Sequence, residues 1–516
     1  MTRRKIDFPE LFFCIVAPIG TDLDDLTEAL GAKLGLLGYH VEKIHITDVL
    51  KVIDNTLPND FASEYDRYDK LIKHSNSLRK SFNDDALLAK ISFFLIQDKR
   101  KKFEEAPAPK KEGIAYIIRQ FKRPEEIGLF RSVYGQQVFQ LSAYADPDVR
   151  KARLVKLLRD KDHHRTRSED FELDATKLIR RDEHEALVPH GQRIRDVFPL
   201  ADVFIDTDNR EITKKTLSRF VELIFGNNFY SPSREEYGMY AAKTASLRSL
   251  DLSRQVGAAI CDPRGHVKTL GCNEVPSPRG GTYWCNDEGD AREYVGKLDT
   301  NEEFKFRMLS DTLLHLSEVG VVDKEYTDVD GRTFLRQIKD KTSISLDKKM
   351  MIMDVIEYGR IIHAEMNAIT DAAREGIRVK DSILYCTTFP CHLCAKHIIS
   401  SGIKMVVYIE PYPKSYATEL YKDDIVLKRE KTINDDVVYF VPFIGISPNR
   451  YRDLFEKGKR KDSQGRVKEW SQGIAMPILN VTGTEYIITE NDHLKVLIDE
   501  FGKKGLLLPQ STPQNP

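Results

Sequence analysis

The chain has 516 residues, 41% hydrophobic and 31% charged, a globular composition long enough for two or more domains with cores of their own. Lys plus Arg, 79, nearly cancels Asp plus Glu, 80; the net charge of -1 excludes a chain-wide electrostatic grip on nucleic acid, though not a local patch. Seven cysteines, an odd and sparse number, argue against a disulfide framework and for a reducing compartment.

The opening "MTRRKIDFPELFFCIVAPIGTD" has basic and then apolar residues, but acidic residues intervene and the apolar run is short. It reads as a buried strand and not as a signal peptide. No segment approaches about 18 uninterrupted apolar residues, so no membrane span is expected, and the expected location is the cytoplasm.

From the N-terminus, "LFFCIVAPI" (11–19) predicts a strand ending at Gly20, Thr21 and Asp22. A helix follows, with Leu23, Leu26, Leu30, Leu34 and Leu37 on one stripe and Gly38 closing it. Further strands are predicted at 39–46, 113–121, 136–144 and 201–207, and alternation with helices implies a parallel sheet. Segments 98–113 and 159–170 read as charged loops, the second with a solvated His163–His164 pair. A turn-rich boundary at "FGNNFYSPSREEYG" (225–238) opens a second series. It has strands at 255–262, 266–273, 382–389, 405–410 and 437–443, helices at 363 and 390, and a mixed insertion over roughly 280–345. The tail "LLLPQSTPQNP" is expected to fray. The expected domains are 1–228, 229–450 and a C-terminal extension, 451–516.

The chemistry concentrates in the second series. In "IIHAEMNAITDAAREG" (361–376), His363 and Glu365 stand where an apolar lead-in meets a helix; alone they could be a cap and a satisfied histidine. In "TTFPCHLCAKHI", Pro390 suits a helix start and Cys391 and Cys394 share one face of its first turn, where a helix N-terminus favours thiolates. CxxC alone could be a redox pair. With His363 it supplies one nitrogen and two sulfurs, a Zn2+ site with three protein ligands and an open fourth position. Zinc there activates a water, and Glu365 carries its protons. The alternative is a structural zinc knuckle with Cys386 or His392 as fourth ligand. H-x-E followed by P-C-x-x-C is the signature of zinc nucleobase deaminases.

Over roughly 235–445 the sequence resembles the deoxycytidylate deaminase family of the cytidine deaminase superfamily. The stretches that carry the likeness are "SRQVGAAICDPRGHVKTLGCNEVP", "HAEMNAI" and "TTFPCHLCAKHIISSGIKMVVYIEPYPKS". The resemblance implies that Asn273 binds sugar or phosphate, that the Ala364 backbone addresses the pyrimidine edge, and that Lys414 and Ser415 lie on the phosphate side. The insertion implies a lid or an allosteric pocket. The N-terminal half resembles P-loop nucleotide kinases: "VAPIGTDLDD" sets Gly20 and Thr21 between a strand and a helix N-terminus, where phosphate meets backbone N–H groups. It lacks GK[ST], and Asp22, Asp24 and Asp25 would repel phosphate. The fused pair looks like the bacterial anti-phage dCTP deaminases.

The implied fold is α/β: a P-loop-kinase-like parallel-sheet domain followed by a deaminase-like α/β/α sandwich with a mixed sheet. The implied activity is zinc-dependent deamination of dCTP or dCMP in nucleotide depletion. The implied partners are the nucleotide substrate, an allosteric nucleotide, further copies of the chain, and a nucleic-acid or other repressor. Two other readings are a polynucleotide cytosine deaminase, which needs a basic aromatic-lined channel, and a nucleotide-sensing switch with the deaminase as output.

Overall fold

A computed structural model of the protein describes residues 6–506, apart from 49, 54–60, 108–110, 163–167, 184, 186–187, 343–344, 349, 413, 430–433 and 472–474. His163, His164 and residues 507–516 of the tail lie outside the described residues. The chain divides into two compact units, Met1–Glu236 with Ile444–Pro516, and Tyr237–Phe443.

The first unit is built on β1 (Leu11–Val16), β2 (Tyr39–His45), β3 (Gly113–Arg119), β4 (Val138–Tyr144), β5 (Val203–Asp206) and β12 (Gly445–Ile446), in the order β12-β5-β4-β1-β3-β2. β1 to β5 run parallel, and only β12 is antiparallel to its neighbour. The run read in β1 has a simple cause: all six of its residues are buried, because helices cover both faces. Phe12, Cys14 and Val16 join one core with helices Leu87–Glu105 and Pro124–Tyr134. Leu11, Phe13 and Ile15 join the other with helices Asp24–Leu36 and Arg210–Ile224.

The C-terminal stretch differs from the expected separate extension. β12 pairs with β5 through Gly445 and Phe204, and helix Tyr486–Lys504 adds Leu494, Leu497 and Phe501 to the first core. The charged stretch from 98 is likewise helix as far as Glu105, not loop. One network explains both. Arg100, nearly buried, pairs with Glu10 at 2.8 Å and with Glu490 at 2.9 Å, and the Tyr134 hydroxyl donates to Glu490 at 2.7 Å. A buried cation demands such partners, and half of them come from the far end of the chain.

The second unit is built on β6 (Gly257–Cys261), β7 (Val267–Cys272), β8 (Ile383–Thr388), β9 (Met405–Glu410), β10 (Ile425–Val426) and β11 (Val438–Pro442), in the order β10-β11-β9-β8-β6-β7. β6 is antiparallel to β7 and β8, and the other pairs are parallel, so the sheet is mixed. Helices Ala364–Arg374 and His392–Ser400 seat Ala364, Ala368, Ala395 and Ile398 on Ala258, Ile260, Leu384 and Val406 of one face. Gly271 permits the close approach: a Cβ there would stand 2.1 Å from the Ala364 carbonyl oxygen. The opposite face carries helix Arg234–Ser246, whose Gly238 lies against the Tyr385 ring. Within the insertion, helices Thr300–Glu318 and Gly331–Thr342 share a small core of Leu309, Leu313 and Leu335 with Met353.

Candidate functional site

Two helix N-termini set the site. His363 is the N-cap of helix Ala364–Arg374, and Cys391 is the N-cap of helix His392–Ser400, its sulfur accepting from the Cys394 amide at 3.4 Å. His363 Nδ1 stands 3.2 Å from Cys391 Sγ and 3.4 Å from Cys394 Sγ, and the three donor atoms lie within 4.8 Å of one another. A tetrahedral zinc with Zn–S of about 2.3 Å and Zn–N of about 2.0 Å requires N···S edges of roughly 3.5 Å. The donor set fits that ion. Cys386 and His392, the alternative fourth ligands, are not in the group. His392 instead faces Glu357, with 3.6 Å between Nε2 and the carboxylate.

The electrostatics suit a cation. Hydrogen bonding from Cys394, and then His363, hold the Cys391 thiol well on the ionised side against the cost of burial. Burial raises the Cys394 thiol, as do Cys391 and Glu365, so that sulfur keeps its proton until a cation takes its place. Burial works against charge on His363, yet the Cys391 thiolate, with Glu365 and Asp251, raises its pKa to about 9. Glu365 is buried beside the cluster and is not one of the three donors. Burial first, and the Cys391 thiolate second, push its carboxyl upward, as suits a group that must both take and give a proton.

His363, Glu365 and Cys391 line a cavity of about 270 Å3 together with Ala364 and Asn273. The insertion supplies part of its wall, through Glu293, Asp299, Asn301, Glu302 and Lys305. Arg254 and Tyr412 complete another side, with the guanidinium 5.0 Å from the ring centre. None of these seven was a sequence candidate. Asn273 is buried and its amide is engaged: Oδ1 accepts from Val256 N at 2.7 Å, and Nδ2 donates to Asp251 Oδ2 and to the Arg254 carbonyl, both at 2.7 Å. It holds the loop that carries Arg254. Ser415 and Lys414 do not line the cavity. The Ser415 hydroxyl donates to the Pro390 carbonyl at 2.7 Å, tethering the Cys391 loop, and half-exposed Lys414 pairs with Asp354 at 2.5 Å.

In the first unit, Gly20 takes φ +83°, and a Cβ there would stand 2.6 Å from the Arg150 carbonyl oxygen, so the turn after β1 needs glycine. One amide of the loop is already taken. Asp182 Oδ2 accepts from the Ile19 amide at 2.7 Å and Oδ1 from Lys122 Nζ at 2.6 Å, while Lys122 also donates to the Ala17 carbonyl at 3.0 Å. Gly20 and Thr21 line an adjoining cavity of about 190 Å3 with Arg67, Arg79 and Arg119. Those three cations pair with Glu64, Glu126 and Asp24. Neither Asp182 nor Lys122 carried a local sequence signal.

Residues 232–410 match the cytidine and deoxycytidylate deaminase zinc-binding region. Zinc is the metal of that region, and His363, Cys391 and Cys394 are the group here that can hold it. The chain is 52% identical over 54 residues to the deoxycytidylate deaminase of Enterobacteria phage T2, covering 10% of this chain and 29% of that protein. It is 42% identical over 176 residues to the deoxycytidylate deaminase of Mus musculus, covering 34% and 63%. Less than two thirds of either relative is therefore spanned. A dCMP deaminase from the cyanophage S-TIM5 in apo form aligns over 41% of this chain and 99% of its own, at 16% identity and a TM-score of 0.21, too loose a likeness to bear on function. Among the described residues no helix is long and apolar enough to cross a membrane.

Proposed function

We propose that Tyr237–Phe443 hydrolytically deaminates a deoxycytidine nucleotide, dCMP or dCTP, to the deoxyuridine nucleotide. The observation that carries this reading is a buried carboxyl, Glu365, beside a three-donor zinc group, with Glu365, His363 and Cys391 lining one cavity. Zinc, when bound by His363, Cys391 and Cys394, supplies the Lewis acidity that makes water a nucleophile near neutral pH. Glu365 takes the proton of that water, places it on N3 of the pyrimidine, and carries the second proton to the departing 4-amino group, which leaves as ammonia. The Ala364 amide, at the first position of its helix, has no intrahelical acceptor and is available to the pyrimidine edge. Asn273 keeps loop 251–256 in place, and Arg254 and Lys305 are the basic side chains on the cavity wall for a phosphorylated substrate.

Nucleotide depletion in anti-phage defence is the role this activity would serve, with an allosteric nucleotide bounded by the insertion. Assembly of several copies belongs to the same reading, and exposed Leu247, Leu250 and Leu252 support it. For the first unit we infer gating of the deaminase without phosphoryl transfer. Asp182 takes the Ile19 amide beside Gly20, and the loop lacks the GK[ST] lysine. The test is to incubate the purified chain separately with dCMP, dCTP, CTP and a cytosine-containing single strand and measure ammonia. Turnover of a deoxynucleotide is expected; a single strand deaminated faster than both deoxynucleotides would overturn the reading.

A further inference from the structure

In the first unit, buried polar atoms without partners gather around the cavity of about 190 Å3 beside the loop after β1. Thr21 Oγ1, Arg79 Nε, Arg119 Nε and Gln192 Oε1 are buried with no hydrogen-bond partner among the described residues, and all four residues line it. Buried polar groups are nearly always paired, so four at one cavity call for an occupant. The space is several times the roughly 30 Å3 share of one water, and smaller than the roughly 300–1,000 Å3 of sites for drug-sized ligands.

Gln120 adds a fixed donor. It follows β3 directly and takes φ +80°, in the left-handed region where a side chain is strained. Thr47 holds its oxygen: the hydroxyl donates to Gln120 Oε1 at 2.5 Å and the amide at 3.2 Å. With Oε1 taken, the free end of the side chain is Nε2, and Gln120 lines the same cavity. Strain of this kind persists where the placement of a side chain matters. Gln192, 7% exposed, is anchored through its backbone. Its N–H donates to Glu185 Oε2 at 3.0 Å, and its carbonyl accepts from the Glu185 amide at 3.1 Å.

Charge on the wall is balanced. Arg67, Arg79, Arg119 and Lys122 are ion-paired with Glu64, Glu126, Asp24 and Asp182, so the cavity suits a neutral guest better than an anion. Tyr68, Leu71, Ile72 and Leu88 give it an apolar side for a flat ring. The unpaired atoms are mostly donors. Gln120 Nε2, Arg79 Nε and Arg119 Nε stand against one fixed acceptor, Gln192 Oε1, and the Thr21 hydroxyl can serve either way. A uracil-type edge has this balance, two carbonyl oxygens around a single N–H. Bases with an amino group bring at least two N–H groups to that one acceptor.

We propose that this cavity binds a neutral nucleoside with a uracil-type base, its N3–H on Gln192 Oε1 and a carbonyl oxygen on Gln120 Nε2. The proposal is independent of the deaminase reading, because none of these residues lines the His363 cavity. The full-length protein is titrated calorimetrically with uridine and thymidine, each beside its N3-methyl derivative and its 5′-monophosphate, and with cytidine. Binding of uridine or thymidine at about one per chain is expected, with cytidine and the methylated and phosphorylated forms each weaker by about 5-fold or more. Gln192→Leu and Gln120→Gly should each weaken the nucleoside by about 5- to 150-fold, the range for one polar atom left unpaired. Gln120→Gly relieves the positive φ and Gln192→Leu removes an unpaired buried oxygen, so both should melt with the wild type. The methylated nucleosides test the same contact on the wild type alone. No binding of either nucleoside, equal binding by both variants, or cytidine, a methylated form or a monophosphate bound as tightly as the parent nucleoside would overturn the proposal.

Discussion

The junction after β1 and the junction after β8 use the same device, a parallel strand whose end leads through a short loop to a helix N-terminus. After β8, Cys391 caps the helix with a sulfur that still faces His363 and Cys394, so three donors converge with capacity left for a metal. After β1, the corresponding capacity is spent inside the protein: Asp182 takes the Ile19 amide and the Lys122 ammonium together. A loop between a strand and a helix is therefore only an opportunity. Chemistry depends on whether the chain leaves the donors unsatisfied or satisfies them itself.

Breaking the second junction should have the largest effect. Cys391→Ala removes a donor and the cap together, and should abolish both zinc binding and ammonia release, read by metal analysis and a coupled assay; stoichiometric zinc in a Cys391/Cys394 double variant would contradict the ligand assignment. Glu365→Ala separates proton transfer from metal binding. Zinc and thermal stability should be kept while turnover falls about 10²–10⁴-fold, and metal loss would instead make Glu365 a ligand.

Breaking the first junction should act on stability alone. Asp182→Ala leaves Lys122 without its buried partner and should cost the first unit about 3–5 kcal/mol, measured by denaturant titration, with the zinc content unchanged. The same variant should gain no phosphate transfer from ATP to nucleosides or nucleotides; robust turnover there would show the loop to be a latent kinase site. The smallest effect is expected at Lys414→Ala. Its ion pair with Asp354 is half exposed, worth about 1 kcal/mol or less, so KM should shift by no more than about 5-fold. A larger rise in KM would return Lys414 to the phosphate side of the site.

The two junctions also differ in how far they could be read from the residues. His363, Glu365, Cys391 and Cys394 were legible because metal chemistry needs short spacings, HxE and CxxC, at two helix starts. β1 was legible because burial on both faces writes a continuous apolar run. Asp182 was not, since it meets Ile19 from 163 residues away, and no local pattern encodes that pairing. Arg100 reads as part of a solvated charge run until Glu490, 390 residues on, is brought beside it. The cavity wall formed by Asn301 and Lys305 depends on how the insertion folds back, which composition does not specify. Asn273 lines the cavity, and its three hydrogen bonds, to Val256, Asp251 and Arg254, are a feature that only the folded structure supplies.

On the proposed reading, deamination at the His363–Cys391–Cys394 group needs Glu365 as its proton carrier. The most direct measurement compares ammonia release from dCMP and dCTP by the wild type and by Glu365→Ala at matched zinc content. Full zinc is expected in both, with at least one deoxynucleotide turned over by the wild type and about 10²–10⁴-fold more slowly by the variant. Equal rates at equal zinc, or no turnover of either nucleotide by the zinc-loaded wild type, would contradict it.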